Sequence, residues 1–121
     1  MTFSNDKAIY IQMGDRLCDD ILAGVYADDE RIPSVREYAV KLEVNTNTAV
    51  KAYDFLARDG IIYNKRGLGY FVTAGARDRI MEARRKDFME NILPDMFRNM
   101  HLLGVDIKDI DAEWQRYCEN L

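Results

Sequence analysis

Two helix-start signals lie only eleven positions apart in this chain, and their spacing constrains the fold more than any other feature. Ser34 follows a proline and has Glu37 three positions later, which is the pattern of a capping box. The helix that begins there is predicted to run to about Leu42. Asn45 is a favourable N-cap for a second helix, predicted over about 46–59. Two short helices joined by a turn of three or four residues are typical of a helix-turn-helix.

The hydrophobic pattern changes from helical to extended after Gly60, a residue type that commonly ends helices. Residues 61–63 and 70–73 are rich in β-branched and aromatic side chains, so they are predicted to form two short strands. The segment Lys65-Arg66-Gly67-Leu68-Gly69 lies between them and predicts a hairpin loop with a basic, glycine-rich tip. A basic hairpin directly after a helix-turn-helix is typical of a DNA-binding wing.

Polar and basic side chains follow one stripe of the second helix of this motif. Asn47, Thr48 and Lys51 are spaced at i, i+1 and i+4. Amides and hydroxyls read base edges or hold phosphate, and lysine neutralises phosphate. Arg36 falls in the first turn of the first helix, which crosses the phosphate backbone in such motifs, although an ordinary surface position is the alternative. Arg66 at the hairpin tip is suited to the minor groove or to a phosphate.

Other residues of the motif have structural interpretations that compete with DNA contact. Asn45 is favoured as a helix cap over a base reader. Tyr63 and Tyr70 are favoured as packing residues of the hairpin over platforms for base stacking. The basic run Arg84-Arg85-Lys86 is favoured as a solvated helix face over a further DNA contact.

The charge distribution is uneven along the chain. The net charge is −4, which by itself disfavours nucleic acid as a partner. However, residues 31–66 carry seven basic and four acidic side chains, a local excess of three positive charges. Since the field at a surface depends on the local arrangement of charge, this middle region can face phosphate while the whole chain stays acidic.

Helical periodicity also flanks the motif. Residues 7–23 form an amphipathic pattern, and residues 77–103 return to helix with Pro94 as a kink or break. Asp106 is predicted to cap a last helix over about 107–119. The predicted fold class is therefore mainly α (α+β). It comprises a winged helix-turn-helix of three helices plus a β-hairpin wing, followed by a two-helix C-terminal dimerisation tail.

The predicted domains are 1–75 for DNA binding and 76–121 for the helical tail. The tail carries two apolar faces that a short segment cannot bury well alone. The tail helices could pack on each other, but burial across a two-fold axis between two copies is favoured. The predicted dimerisation residues are Met96, Phe97, Met100 and Leu103 on one helix, and Ile107, Ile110, Trp114, Tyr117 and Leu121, in a seven-residue repeat, on the other.

Several function classes lack support in the sequence. No apolar run is long enough to span a bilayer, and the N-terminus lacks the order of a signal peptide. Cys18 and Cys118 are too far apart to suggest a disulfide framework or a metal site, and Cys18 is expected in the core. No acidic or cysteine-rich motif surrounds His101. With no nucleophile–base pair and no phosphate-binding loop, we expect no catalysis, cofactor or metal, and a cytoplasmic protein with reduced thiols.

The motifs resemble the GntR-type bacterial regulators, and within them the YtrA subfamily with its short two-helix tail. The resemblance covers residues 8–73 densely and the tail by its length and helical character. It rests on Ile9-Tyr10-Ile11-Gln12, Ile21-Leu22-Ala23-Gly24, Arg31-Ile32-Pro33-Ser34-Val35-Arg36-Glu37, Val44-Asn45-Thr46-Asn47-Thr48, Lys51-Ala52-Tyr53, Asp59-Gly60 and Arg66-Gly67-Leu68-Gly69.

The resemblance implies a homodimeric transcription repressor that binds an inverted-repeat operator, often of a transporter operon. Glycine is common in the family where Glu43 stands, and proline is usual where Thr46 stands. With the residues above, the predicted DNA-binding set is Ser34, Arg36, Asn45, Thr46, Asn47, Thr48, Lys51, Arg66, Gly67 and Gly69. The alternative is a winged-helix protein-interaction module without DNA binding. A regulator that also senses a small-molecule effector is compatible with the repressor.

Overall fold

A computed structural model describes residues 3–4 and 6–121 of the chain. The chain divides into two compact units, Met1–Glu82 and Ala83–Leu121. The prediction of a mainly helical fold with one small antiparallel sheet is confirmed. None of the helices in the described part of the chain is long and apolar enough to cross a membrane.

Three helices form the helical part of the first unit: α1 is Ile9–Leu22, α2 is Val35–Leu42 and α3 is Thr46–Arg58. The predicted start signals are confirmed. The Ser34 side chain accepts a hydrogen bond from the backbone N–H of Glu37, whose carboxylate accepts one from the N–H of Ser34. These reciprocal bonds satisfy two donors that a helix start leaves without intrahelical partners, which explains why α2 begins there.

The turn between α2 and α3 depends on a left-handed residue. Glu43 has φ 56° and ψ 47°, a conformation that glycine adopts at little cost and other residues rarely do. The departure from glycine at this position therefore changes the side chain and leaves the backbone of the turn intact. Val44 follows, with its backbone N–H donating to the carbonyl of Ala39.

The wing consists of β1, Ile62–Lys65, and β2, Gly69–Val72, paired antiparallel with Lys65 opposite Gly69. The other edge of β2 is also paired, which the sequence did not reveal. Segment 29–32, which lies between α1 and α2, exchanges backbone hydrogen bonds with β2: Asp29 N–H to Val72 O at 2.8 Å, Val72 N–H to Glu30 O at 3.0 Å and Ile32 N–H to Tyr70 O at 3.0 Å. The wing is therefore joined to the segment that leads into α2.

The core of the first unit lies between α1, α2, α3, the sheet and the start of α4, which spans Ala76–Asp87. Ala76 and Ile80 of α4 are buried in it, and Cys18 is buried as predicted. The other buried apolar residues are Met13, Leu17, Ile21, Ile32, Tyr38, Ala39, Leu42, Ala49, Ala52, Tyr53, Leu56, Ile61, Ile62 and Val72.

Two arginines in the first turns of α4 cap the ends of other helices, a role that the basic composition of this segment did not indicate. Arg77 donates to the carbonyl of Leu22 at the end of α1, and Arg79 donates to the carbonyl of Asp59 just after α3, at 3.0 Å. Cations at helix C-termini satisfy terminal carbonyls and complement the helix dipole. The start of α4 is thus hydrogen-bonded to the ends of α1 and α3 within the first unit.

In the second unit the predicted break near Pro94 takes the form of a π-helical segment, Phe88–Ile92, between α4 and α5, Leu93–Leu103. Proline cannot donate a hydrogen bond to the carbonyl four residues earlier, and its ring crowds that carbonyl. The helix has one wider, π-helical turn before Pro94, where the Leu93 N–H donates to Phe88 O, five residues earlier. The last helix, α6, is Ile107–Glu119 and begins with the predicted Asp106 cap.

Candidate nucleic-acid interface

Helix α3 presents a polar face to solvent and an apolar face to the core. Asn47 and Lys51 are exposed and Thr48 is half-buried, whereas Ala49 and Tyr53 are buried. The exposed face begins at the N-terminus of the helix, where Asn45 and Thr46 are also exposed. The side chain of Asn45 accepts a hydrogen bond from the N–H of Asn47 at 2.8 Å, so its role as a helix cap is confirmed.

Lys51 makes a contact that its spacing did not predict. Its ammonium nitrogen lies 5.1 Å from the centre of the Tyr10 ring on α1, within the range of a cation–π interaction. Tyr10 in turn meets Phe55 of α3 edge-on, with ring centres 6.0 Å apart. The charge of Lys51 is therefore held at the side of α3 that faces α1, while the side chain remains exposed.

The start of α2 places a cation beside a firmly capped helix end. Arg36 is exposed in the first turn of α2. The hydrogen bonds from the backbone and side chain of Ser34 hold the pKa of Glu37 below its ordinary value, so this carboxylate stays ionised at the helix N-terminus. Ser34 is half-buried and its hydroxyl is used by the cap.

A tyrosine links α3 to the start of α2. The hydroxyl of Tyr53 donates to the carbonyl of Pro33 at 2.6 Å, and its ring meets Tyr70 of β2 edge-on at 5.1 Å. Tyr63 stacks on Phe71 across the hairpin, with ring centres 5.9 Å apart. Both Tyr63 and Tyr70 thus pack within the first unit, in agreement with their structural interpretation.

The wing tip carries Arg66 and Gly67, both exposed. Gly67 has φ 79° and no other group within 4 Å of the position that a Cβ would take, so the backbone conformation requires glycine there and nearby packing does not. Gly69, at the base of the tip, is half-buried with φ 106°. A Cβ on Gly69 would lie 3.1 Å from the Nε of Arg31.

The three parts of the predicted interface converge on the segment before α2. A hydrogen bond from Tyr53 of α3 reaches the carbonyl of Pro33, and a backbone hydrogen bond from Ile32 joins the same segment to β2. The predicted residues of α2, α3 and the wing therefore belong to one connected framework. The run Arg84-Arg85-Lys86 is exposed and lies in the second unit.

The apolar faces predicted for the tail are open in the single chain. In α5 and α6, all of whose residues the structure describes, none is buried. Trp114 is 61% exposed and stacks on Tyr117 at 5.9 Å. Of the predicted dimerisation residues, Met96, Met100 and Ile110 are half-buried, while Phe97, Leu103, Ile107, Trp114, Tyr117 and Leu121 are exposed.

Known proteins are similar to this chain in sequence and in fold. The HTH-type transcriptional repressor YtrA of Bacillus subtilis (strain 168) is 32% identical over 106 residues, which cover 88% of this chain and 80% of that protein. The crystal structure of a GntR-family transcriptional regulator from Bacteroides thetaiotaomicron is 43% identical, with a TM-score of 0.84, and covers 93% of this chain and 98% of that one.

The DNA-binding domain of AraR in complex with operator ORX1 is also similar, at 26% identity and a TM-score of 0.53, over 60% of this chain and 93% of that one. Residues 9–72 match the bacterial regulatory proteins of the gntR family, which are transcription regulators and not enzymes. The match spans more than half of the chain and includes α1, α2, α3 and the wing. The chain therefore belongs to the GntR family of DNA-binding transcription regulators.

Proposed function

We propose that this protein is a homodimeric transcription repressor that binds an inverted-repeat operator. The observation that carries the proposal is the connected framework of α2, α3 and wing, which exposes polar and basic side chains on three neighbouring elements. The relative from B. subtilis is named a repressor, and the AraR domain is bound to an operator. The protein would act in the cytoplasm, and the resemblance to the YtrA subfamily suggests a transporter operon as the target.

Phosphate contacts are assigned to the exposed cations and the helix starts. Arg36 and Lys51 neutralise phosphates. Ser34 and Asn45 cap α2 and α3, and the backbone N–H groups at these helix starts face the phosphates of the DNA. Phosphate contacts carry no sequence information, so loss of either cation should weaken binding to all DNA about equally. The dependence of log K on log salt should also flatten by about one unit for each cation removed.

Base selection is assigned to the N-terminal turns of α3. Asn47 is exposed and Thr48 is half-buried, and Thr46 begins the helix beside them. A recognition helix enters the major groove by this end, where an amide pairs with adenine. The wing complements α3, because Gly67 and Gly69 let the backbone around Arg66 approach the groove next to the half-site.

Dimerisation is assigned to the open apolar faces of the tail. A two-fold interface pairs a patch with itself, so one patch in each chain covers the other. Two recognition helices held at a fixed spacing then require an operator of matching symmetry.

The test begins with fragments of genomic DNA selected by the wild-type protein. Binding to a selected duplex should weaken steeply with salt. Arg36→Ala and Lys51→Ala should flatten the salt dependence, while Lys108→Ala, an exposed cation of the second unit, should leave it unchanged. Asn47→Ala should cost about 1–3 kcal/mol on the selected site and much less on random DNA.

The alternative, a winged-helix module that binds proteins only, predicts that no fragment is enriched and that binding shows no steep salt dependence. Equal losses for Asn47→Ala on selected and random DNA would reduce Asn47 to a positioning role.

A further inference from the structure

We infer that Arg31 is a positioning residue that sets the wing tip for DNA, and that it acts through its Nε hydrogen bond and not through its charge. This inference rests on the proposed contact of the wing with the groove. Arg31 is not a member of the predicted DNA-binding set, and it lies in the segment between α1 and α2.

The backbone of Arg31 is fixed to the sheet. It forms a β-bridge with Phe71, and the hydrogen bonds between segment 29–32 and β2 lie on both sides of it. The side chain therefore starts from a defined position beside β2, three residues before the cap of α2. From there it reaches the turn at the tip of the wing.

The side chain crosses to the hairpin loop. Arg31 Nε donates to the carbonyl oxygen of Leu68 at 3.1 Å, across 37 positions of sequence. Leu68 belongs to the three-residue loop 66–68, whose turn is closed by the Leu68 N–H donating to Lys65 O at 2.9 Å. A glycine-rich loop of this kind samples many conformations unless it is held, so a bond from the framework restricts where Arg66 can point.

Gly69 provides the space for this bond. A Cβ at Gly69 would lie 3.1 Å from Arg31 Nε, whereas a Cβ at Gly67 would meet nothing within 4 Å. The two wing glycines thus have different tasks, since Gly67 serves the turn and Gly69 also admits the guanidinium. The hydrogen bond from Arg31 to Leu68 O connects the tip to the same segment that Tyr53 connects to α3.

Three substitutions at position 31 separate the hydrogen bond from the charge. Glutamine has an N–H donor as many bonds from Cα as Nε of arginine, but no charge. Lysine keeps the charge and has a methylene at that position. Methionine has neither donor nor charge at similar length. All three are compared with Arg66→Ala on a duplex selected by the wild-type protein, after thermal unfolding has shown that each variant is folded.

We expect Arg31→Gln to bind the selected duplex within about twofold of wild type, and Arg31→Met and Arg31→Lys to bind about tenfold more weakly, the upper end of the effect of one lost hydrogen bond between neutral groups. These losses of affinity should appear only on duplexes that keep the selected sequence next to each half-site, where the wing is proposed to bind. The dependence of binding on salt should be unchanged. In the free protein, the amide resonance of Gly69, which follows the accepting carbonyl, should shift in Arg31→Met and Arg31→Lys and stay near its wild-type position in Arg31→Gln.

Wild-type binding by Arg31→Lys together with weak binding by Arg31→Gln would overturn the inference and make Arg31 a phosphate contact. An unmoved Gly69 resonance in Arg31→Met would overturn it as well. If Arg66→Ala weakens binding and Arg31→Met does not, the inference alone fails. If Arg66→Ala has no effect, the wing is not at the DNA, and the wing contact in the proposed function fails together with the inference.

Discussion

The two units use amphipathic helices in different ways. In Met1–Glu82, the apolar faces of α1, α2 and α3 converge on one core that includes fully buried aromatic and aliphatic side chains. In Ala83–Leu121, α5 and α6 have equally clear apolar stripes, yet none of their residues is buried. Apolar periodicity therefore identifies an apolar helix face, but it does not indicate whether that face is buried within the same chain.

Removal of the second unit should produce the largest effect. A chain ending at Glu82 keeps all the buried core residues, including Ala76 and Ile80, which a cut at Thr73 would remove. It should remain folded and become monomeric. Its affinity for a selected inverted repeat should fall by about 10²–10⁴-fold, because two linked half-site contacts become one.

Sedimentation and DNA-binding titrations of the two chain lengths would measure this effect. Equal affinity of the short and the full-length chain would show that the second unit has no part in operator binding.

A pair of leucine substitutions compares the two units directly. Leu17 is fully buried and Leu103 is 77% exposed. Leu17→Ala should lower the free energy of unfolding of the first unit by about 2–5 kcal/mol, since it leaves a cavity in a packed core. Leu103→Ala should change that quantity by less than about 0.5 kcal/mol while weakening self-association. Denaturant unfolding followed by circular dichroism gives both values, and similar losses for the two variants would contradict the contrast.

Trp114 tests whether a second copy covers the tail. Large aromatic side chains contribute a disproportionate share of interface energy, so Trp114→Ala should weaken the dimer by about 2 kcal/mol, or about 30-fold in dissociation constant. Sedimentation equilibrium at micromolar concentration measures this change. Gln115→Ala is the matched control, because Gln115 is next to Trp114 in sequence and its side chain donates a hydrogen bond to Asp111 within α6. A wild-type protein that sediments as a monomer would remove the basis for the dimer.

Alkaline pH should affect the core of the first unit. Burial raises the pKa of Tyr38 and Tyr53 above the ordinary value of 10.0. The native state then holds these protons after the unfolded state has lost them, so stability present below pH 10 is lost as the pH rises further, by about 1.4 kcal/mol per pH unit for each tyrosine.

Tyr53→Phe should remove one of these contributions from the slope above pH 10. At neutral pH it should cost about 1 kcal/mol through the lost bond to Pro33 O. An alkaline slope that is the same in Tyr53→Phe and wild type would show that the buried hydroxyl does not govern this limb of the stability curve.

Much of the fold was predictable because its signals are local. The capping boxes at Ser34 and Asp106 join residues three positions apart, and the hairpin follows from glycines beside short β-rich runs. These interactions are complete within one turn of chain, so the sequence pattern contains both partners. The helix bounds accordingly agree with the predictions to within a few residues.

The missed features join distant positions. Arg77 reaches Leu22 across 55 positions and Arg31 reaches Leu68 across 37, and no periodicity relates such residues. Lys51 was predicted as an exposed cation from its spacing, but its contact with Tyr10 depends on how α1 packs on α3. The π-helical form of the break before Pro94 was also hidden, since proline predicts an interruption without specifying its geometry. Site residues are thus easier to nominate than to orient.

The pairing of segment 29–32 with β2 has a consequence for redesign of the protein. Thr46, Asn47 and Lys51 lie on the exposed face of α3, and exchanging them for the residues of a relative should change the bases that are read while the wing stays in place. Residues 31–36 are different, because they share backbone bonds with the wing and provide the cap of α2. A graft that includes them would alter two contact surfaces at once. Under the proposed DNA contacts, the exposed face of α3 can therefore be exchanged by itself, whereas the loop before α2 has to be exchanged together with its own wing.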